Sequence, residues 1–332
     1  MESQRSHKRR KGSDPGIVAP QQHEILWFPD GNIVLSTDVY LFKLYKGLLS
    51  MKSSVFRDMF DLVDAGAGRD DDDMVQEMYD GVPLVTLVGD RGEDVVHLMR
   101  AVFEHDFYHR DDKNTPLDVV TALLVLSTKY DFRELRKEVV MQISQQYPMS
   151  LKDFDYIDRY EAPLFGRPQS ECDITLLKGA YNAGVDALLP ILFLHCASQS
   201  MVSILCEVNS MNPECLCILL KGREKLGTRV DQFLMDLPER LQETSKVCKS
   251  SNADICKKGH YIELSLLARS YYRHTQFDLL YDFLHSECKS CATSVEKQVN
   301  KNRKEIWEEI PSYFGYPGWD DAKAKLKELI AS

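Results

Sequence analysis

Nowhere in the 332 residues does an apolar run approach the ~18 residues that a membrane-crossing helix needs. The opening M-E-S-Q-R-S-H-K-R-R-K-G carries charge with no apolar stretch behind it, so a secretory leader is not predicted either. Positive charge is not in excess: 51 Asp and Glu face 41 Lys and Arg, for a formal net charge of −10. A whole-surface grip on a polyphosphate is therefore disfavoured, and direct nucleic-acid binding with it. The phosphate-cradling, dinucleotide, zinc-protease and nucleophile-elbow patterns are missing too. The reading is accordingly no cofactor and no catalysis. The nine cysteines are read as thiols of an intracellular protein, cytoplasmic or nuclear, with no disulfide framework implied.

What is present is unevenly distributed. Apolar residues make up 44% of the chain, enough for the cores of two modest domains. Residues 1–23 are read as a flexible basic arm, whose K-R-R-K run is either a nuclear import signal or an ordinary solvated terminus. Asp70, Asp71, Asp72 and Asp73 follow an A-G-A-G run, which predicts a self-repelling surface loop. Calcium is not expected there, because the D-x-D-x-D-G spacing and its distal Glu are absent.

Regular structure is predicted from about Glu24. The run I-L-W-F leads into a P-D-G-N turn and then into two apolar alternations, I-V-L and V-Y-L-F-K-L-Y, which read as pairing strands. Leu48, Leu49, Phe56, Met59 and Phe60 fall at helical spacing, with Ser53 placed to break or cap the run, so two short helices are predicted between Lys46 and Leu62. The segment V-P-L-V-T-L-V from Val82 reads as a strand whose early proline favours an edge or first-position placement. Helices are predicted from Gly92 to Phe103, after Asn114, and around Leu135 to Ile143. Strands first, then a strand and a helical cluster, point to an α/β or α+β module too irregular for a doubly wound nucleotide fold, and the class is read as α+β.

The run F-K-L-Y-K-G-L-L-S-M-K-S-S-V-F-R-D-M-F, from Phe42 to Phe60, resembles the signature of the BTB/POZ domain family at Phe42, Lys46, Leu49, Ser53 and Phe56. The preceding D-G-N-I-V-L, from Asp30, resembles the family's opening acid and strand. The later A-L-L-V-L-S-T-K-Y-D-F-R-E-L, from Ala122, is similar to its helix pair. With its acidic insertion and helical tail, the chain resembles the divergent BTB proteins numerous in mushroom-forming fungi. The resemblance implies a BTB/POZ-like interaction domain over residues 24–147, with a small sheet beside a helical cluster, and a mainly helical region over 148–332. It also implies a homodimer or larger homo-oligomer that binds other proteins, as a scaffold. Asp30 and Lys46 would then lie in or near a charged pocket at the dimer surface, or else form a local tie between strand and helix. Tyr45 stands where many members carry His. Some members recruit a cullin ubiquitin-ligase scaffold through a hydrophobic-x-Glu pattern; here the corresponding place reads Pro116, Leu117, Asp118, with the acid kept and the large apolar anchor missing. A substrate-adaptor role and transcriptional regulation through partners are the alternatives that follow.

In the second half, the apolar run from Asp186 to Ser198 predicts buried helical material, with His195 read as a core histidine. Further amphipathic runs are predicted at Met211 to Leu220, Val230 to Leu241, Gly259 to Tyr272, Phe277 to Leu284 and Val295 to Ile310, without a repeat period. Cys248, Cys256, Cys288 and Cys291 are a candidate structural zinc set, because C-K-S-C supplies the close pair needed at one corner of a thiolate tetrahedron. Reduced, partly buried cysteines are the competing reading. A helix stop is predicted at Pro311, and Tyr313, Phe314, Tyr316 and Trp319 are predicted to fold back as an apolar clasp ahead of a last charged helix.

Overall fold

A computed structural model describes residues 19–66, 77–160, 164–246 and 289–331. The fold is mixed α+β, with a small N-terminal sheet and helices followed by a largely helical region. The chain divides into two compact units, Met1–Arg100 and Ala101–Ser332.

The first unit holds β1 (Gln21–Trp27), β2 (Ile33–Ser36), β3 (Tyr40–Leu44), α1 (Lys46–Lys52), α2 (Ser54–Gly66), β4 (Met78–Tyr79), β5 (Val82–Thr86) and most of α3 (Gly92–Phe103). The sheet order is β1-β3-β2-β5-β4. β2 and β3 form an antiparallel hairpin from Ile33↔Leu44 to Ser36↔Leu41, whereas β2 pairs with β5 in parallel from Val34↔Leu84. A parallel pair needs a long crossover, and α1 and α2 lie in that connection. All four residues of β2 are buried, as befits a strand covered on both faces. Pro83 is the second residue of β5, and β5 lies between β2 and β4, not at the sheet edge. The proline is tolerated because pairing with β2 begins one residue later, at Leu84.

Ser53 separates the two short helices as its spacing predicts. It is the C-cap of α1, its backbone N–H reaching Leu49 O, and its Oγ accepts from Phe56 N at 2.9 Å to cap α2. At the other end of α1, Lys46 N donates to Asn32 Oδ1 at 2.8 Å, so the N-terminal donor is satisfied from the β2 approach. Gly31 is required there: a Cβ would stand 2.9 Å from Lys43 Cγ and 3.0 Å from the Leu44 backbone. Leu26, Leu35, Phe42, Leu49, Phe56 and Phe60 form the centre of this unit's core.

The second unit holds α4 (Leu117–Lys129), α5 (Arg133–Gln146), α6 (Leu151–Tyr160), α7 (Gln169–Asn182), α8 (Leu189–Ala197), α9 (Met201–Cys206), α10 (Pro213–Lys246), α11 (Lys289–Tyr313) and α12 (Trp319–Ala331). α8 is buried almost throughout and packs against α7, α10 and α11. The two amphipathic runs after Met211 are one continuous helix, α10.

Pro311 does not end α11; it lies inside the helix, which continues to Tyr313. Gly315, at φ +87°, ends it: Tyr316 N donates to Pro311 O and Gly315 N to Ser312 O, the paired bonds of a Schellman turn. Proline has no N–H to offer the carbonyl four residues back, that of Trp307. That carbonyl accepts from Trp319 Nε1 at 2.6 Å instead, and the two indoles stack with centroids 4.8 Å apart. Phe314 stacks on Phe193 of α8, and Phe314 and Trp319 are both buried, so these rings close on their own chain.

Candidate functional site

In the first unit, Asp30 is exposed in the turn before β2 and accepts from Tyr45 Oη at 2.7 Å. This hydrogen bond to a carboxylate raises the phenol above its ordinary pKa, with the carboxylate's charge adding to it. Tyr45 also stacks on Phe28 at 5.0 Å. Tyr45 is thus the residue that holds Asp30. Lys46 opens α1 with its ammonium 5.8 Å from the centre of the Phe60 ring, a cation–π arrangement.

Asp118 lies in the first turn of α4, exposed, directly after Pro116 as N-cap and Leu117. An acid there is favourably placed towards the positive end of the helix dipole. Of the four proposed zinc ligands, Cys248, Cys256 and Cys288 lie outside the described residues, as does the side chain of Cys291, which sits in the first turn of α11. Among the described residues no group of three or more His, Cys, Asp or Glu side chains is placed to hold a metal ion. The predicted acidic loop at Asp70 to Asp73 and the runs from Gly259 to Tyr272 and Phe277 to Leu284 also fall outside them.

The most concentrated polar chemistry in the second unit is buried. Asp173 of α7, 3% exposed, accepts from Tyr147 Oη on one carboxylate oxygen at 2.9 Å and from Gln199 Nε2 on the other at 2.7 Å. His195 Nδ1 lies 3.8 Å from the same acid, and its ring stands edge-on to Tyr147 at 4.9 Å and tilted to Phe154 at 5.3 Å. Gln199 is fixed in turn, because Arg223 Nη1 donates to the carbonyls of Ala197 and Gln199 at 2.6 and 2.5 Å. The cluster ties the end of α5, α7 and the end of α8 together.

The phenol and thiols around it are shifted towards their protonated forms. Burial pushes the Tyr147 phenol well up, and the charge of Asp173 adds to this. The Cys172 thiol is pushed up to about 11 by burial, Cys215 to about 12 by the same cause, and Cys196 well above its ordinary range. Thiols held protonated in this way are inert. The arrangement satisfies a buried carboxylate and pins three helices. Sequence reasoning singled out His195 but not Asp173, Tyr147 or Gln199. The available signal was an acid in line with Cys172, Leu176, Leu177 and Ala180, on the apolar face of α7.

Comparison of the chain with protein-family models, with curated proteins and with solved structures found no match. Among the described residues no helix is long and apolar enough to cross a membrane.

Proposed function

We propose that the chain is a non-catalytic protein-interaction protein that associates with itself through a BTB/POZ-like first part. The observation that carries this reading is the placement of the Phe42 to Phe60 signature. Phe42, Leu49, Ser53 and Phe56 are each buried, and Lys46 is the first residue of α1. The positions that resemble the family are therefore those that shape the β3–α1–α2 corner. Met51 on α1 and Leu62 on α2 are 73% and 75% exposed, apolar surface of the kind that association removes from water. Lys46→Glu tests the reading by reversing charge beside that corner. The assembled mass, measured by light scattering, is expected to fall while the far-UV circular dichroism stays unchanged. An unaltered mass would remove Lys46 from the association surface.

A second reading, a substrate adaptor for a cullin-based ubiquitin ligase, is favoured by the exposure of Asp118. Calorimetry at low salt, with a purified cullin scaffold, is expected to show weak, salt-sensitive binding that Asp118→Lys abolishes. An absence of saturable binding would end it and leave the scaffold reading standing.

A further inference from the structure

A cleft of about 190 Å³ opens in the second unit between the loop preceding α4, the C-terminal half of α5 and the turn after α6. The loop contributes Arg110, Asp111 and Lys113, and α5 contributes Gln142, Gln145 and Gln146. Leu164 and Phe165 line the rest of it. The cleft is a built feature. Gln142 is buried with both ends engaged: its Oε1 accepts from Tyr108 Oη at 2.8 Å, and its Nε2 donates to Asp112 O at 2.8 Å, which pins the loop to the helix. Phe165 is buried at φ +52°, a backbone region costly for a bulky side chain. It is held there by a two-residue turn closed by Leu164 N to Arg167 O at 2.8 Å and Arg167 N to Leu164 O at 3.0 Å.

Around this frame stand donors with work left to do. Arg110 is oriented by Glu138, whose Oε1 accepts from Nη1 at 3.1 Å, and Nη2 has no partner among the described residues. Lys113 has no ion pair among the described residues, and the carboxamides of Gln145 and Gln146 make no hydrogen bond with them. Glu138 and Asp111 both lie against Arg110, Asp111 at 3.8 Å from its Nε, and neither is paired with Lys113. With two acids already beside Arg110 and Lys113 the cation without an ion pair among the described residues, the site suits a single carboxylate better than a polyphosphate. Carboxamides both donate and accept, which matches the peptide group. The volume is below the ~300–1,000 Å³ of small-molecule and cofactor sites, so it has room for one side chain and its neighbouring peptide bonds.

We infer that this cleft is a recognition site for an acidic peptide segment, with one carboxylate on Arg110 and Lys113 and the flanking peptide groups on Gln145 and Gln146. The inference goes beyond self-association, since it assigns a partner chemistry to the second unit. The test uses the full chain with ¹⁵N-labelled glutamine side chains and an end-capped glycine hexapeptide carrying one central glutamate. The glutamate peptide is expected to shift the Gln145 and Gln146 side-chain resonances saturably. The same peptide with glutamine in place of glutamate is expected to bind about tenfold more weakly, the loss of one charge-assisted contact. Lys113→Glu, at an exposed position that leaves the fold intact, is expected to abolish the shifts. Absent shifts, equal binding of the two peptides, persistence in Lys113→Glu, or tighter binding of inorganic phosphate at the same resonances would each overturn the proposal. None of these outcomes touches the assembly measurement, so the two readings fail separately.

Discussion

Replacing Gly222 with alanine is a sharp test of how α10 and α11 pack. An added Cβ would stand 2.1 Å from Cδ1 and 2.2 Å from Cε1 of Phe314, against an ordinary carbon–carbon contact of about 3.5–4.0 Å. The ring must retreat by about 1.5 Å. It has little room to do so, because Phe314 stacks on Phe193 at 5.2 Å and an interplanar angle of 11°, and its backbone belongs to the Schellman turn at Gly315. Overpacking of this kind costs about 1–3 kcal/mol. Full expulsion of the ring loses about 1.5–3 kcal/mol of burial and about 1 kcal/mol of aromatic pairing. Helix propensity returns about 1 kcal/mol, so Gly222→Ala is expected to destabilise by up to about 2 kcal/mol if the ring shifts and by about 1.5–3 kcal/mol if it is expelled. Gly227, on the same helix, is the internal control. It is exposed, a Cβ there meets nothing within 4 Å, and alanine is expected to stabilise. Urea unfolding followed by tryptophan fluorescence in a Trp27→Phe background, which leaves Trp307 and Trp319 as the emitters, gives both values. The Gly222→Ala penalty is expected to disappear in a Phe314→Ala background. Equal, stabilising effects at the two glycines would refute the packing argument.

Other perturbations follow from the same geometry. Trp319→Phe leaves the buried Trp307 carbonyl without its indole donor and is expected to cost about 1–3 kcal/mol. The cost should shrink in a Pro311→Ala background, where a helical N–H is restored, as a double-mutant denaturation cycle would measure. Ser53→Ala removes the buried cap of α2 and is expected to lower stability by about 1 kcal/mol, read from the denaturation midpoint. The raised thiols and phenols of Cys172, Cys196, Cys215 and Tyr147 keep their protons in the folded state above the ordinary values of 9.0 and 10.0. Above those values the unfolded chain binds fewer protons than the folded one, so the sign is a loss of stability as pH rises from about 9 through 12. Circular dichroism against pH should show alkaline unfolding with that onset.

The elements that the sequence made legible are those set by local periodicity and local chemistry. Gly92 to Phe103 was readable as a helix because Val95, Leu98 and Met99 recur on one face, and these three are buried. Ser53 was readable because a hydroxyl between two apolar runs can cap the second. Contacts between segments distant in the chain were not legible. The α10 runs looked separate because Gly222 and Gly227 interrupt them, yet Gly222 is there to admit Phe314, whose approach no local pattern encodes. Pro311 read as a stop because the carbonyl it deprives needs a donor, and that donor, Trp319, comes from the next element. Asp173 lies on α7, which none of the predicted runs covers, and its partners Tyr147 and Gln199 each lie 26 residues away. The turn at Phe165 and Gly166 could be read from its prolines and glycine, but not that the aromatic would take positive φ and form the wall of a cleft.

The proposed self-association through the BTB/POZ-like part, residues 24–147, is most directly tested by sedimentation equilibrium of the full chain over a concentration series extending to high micromolar. The expected result is a reversible rise from the 38.1 kDa chain mass to twice that value or beyond, with a matching shift to lower mass for Lys46→Glu. A wild-type chain that stays at 38.1 kDa throughout, while correctly folded, would contradict the account.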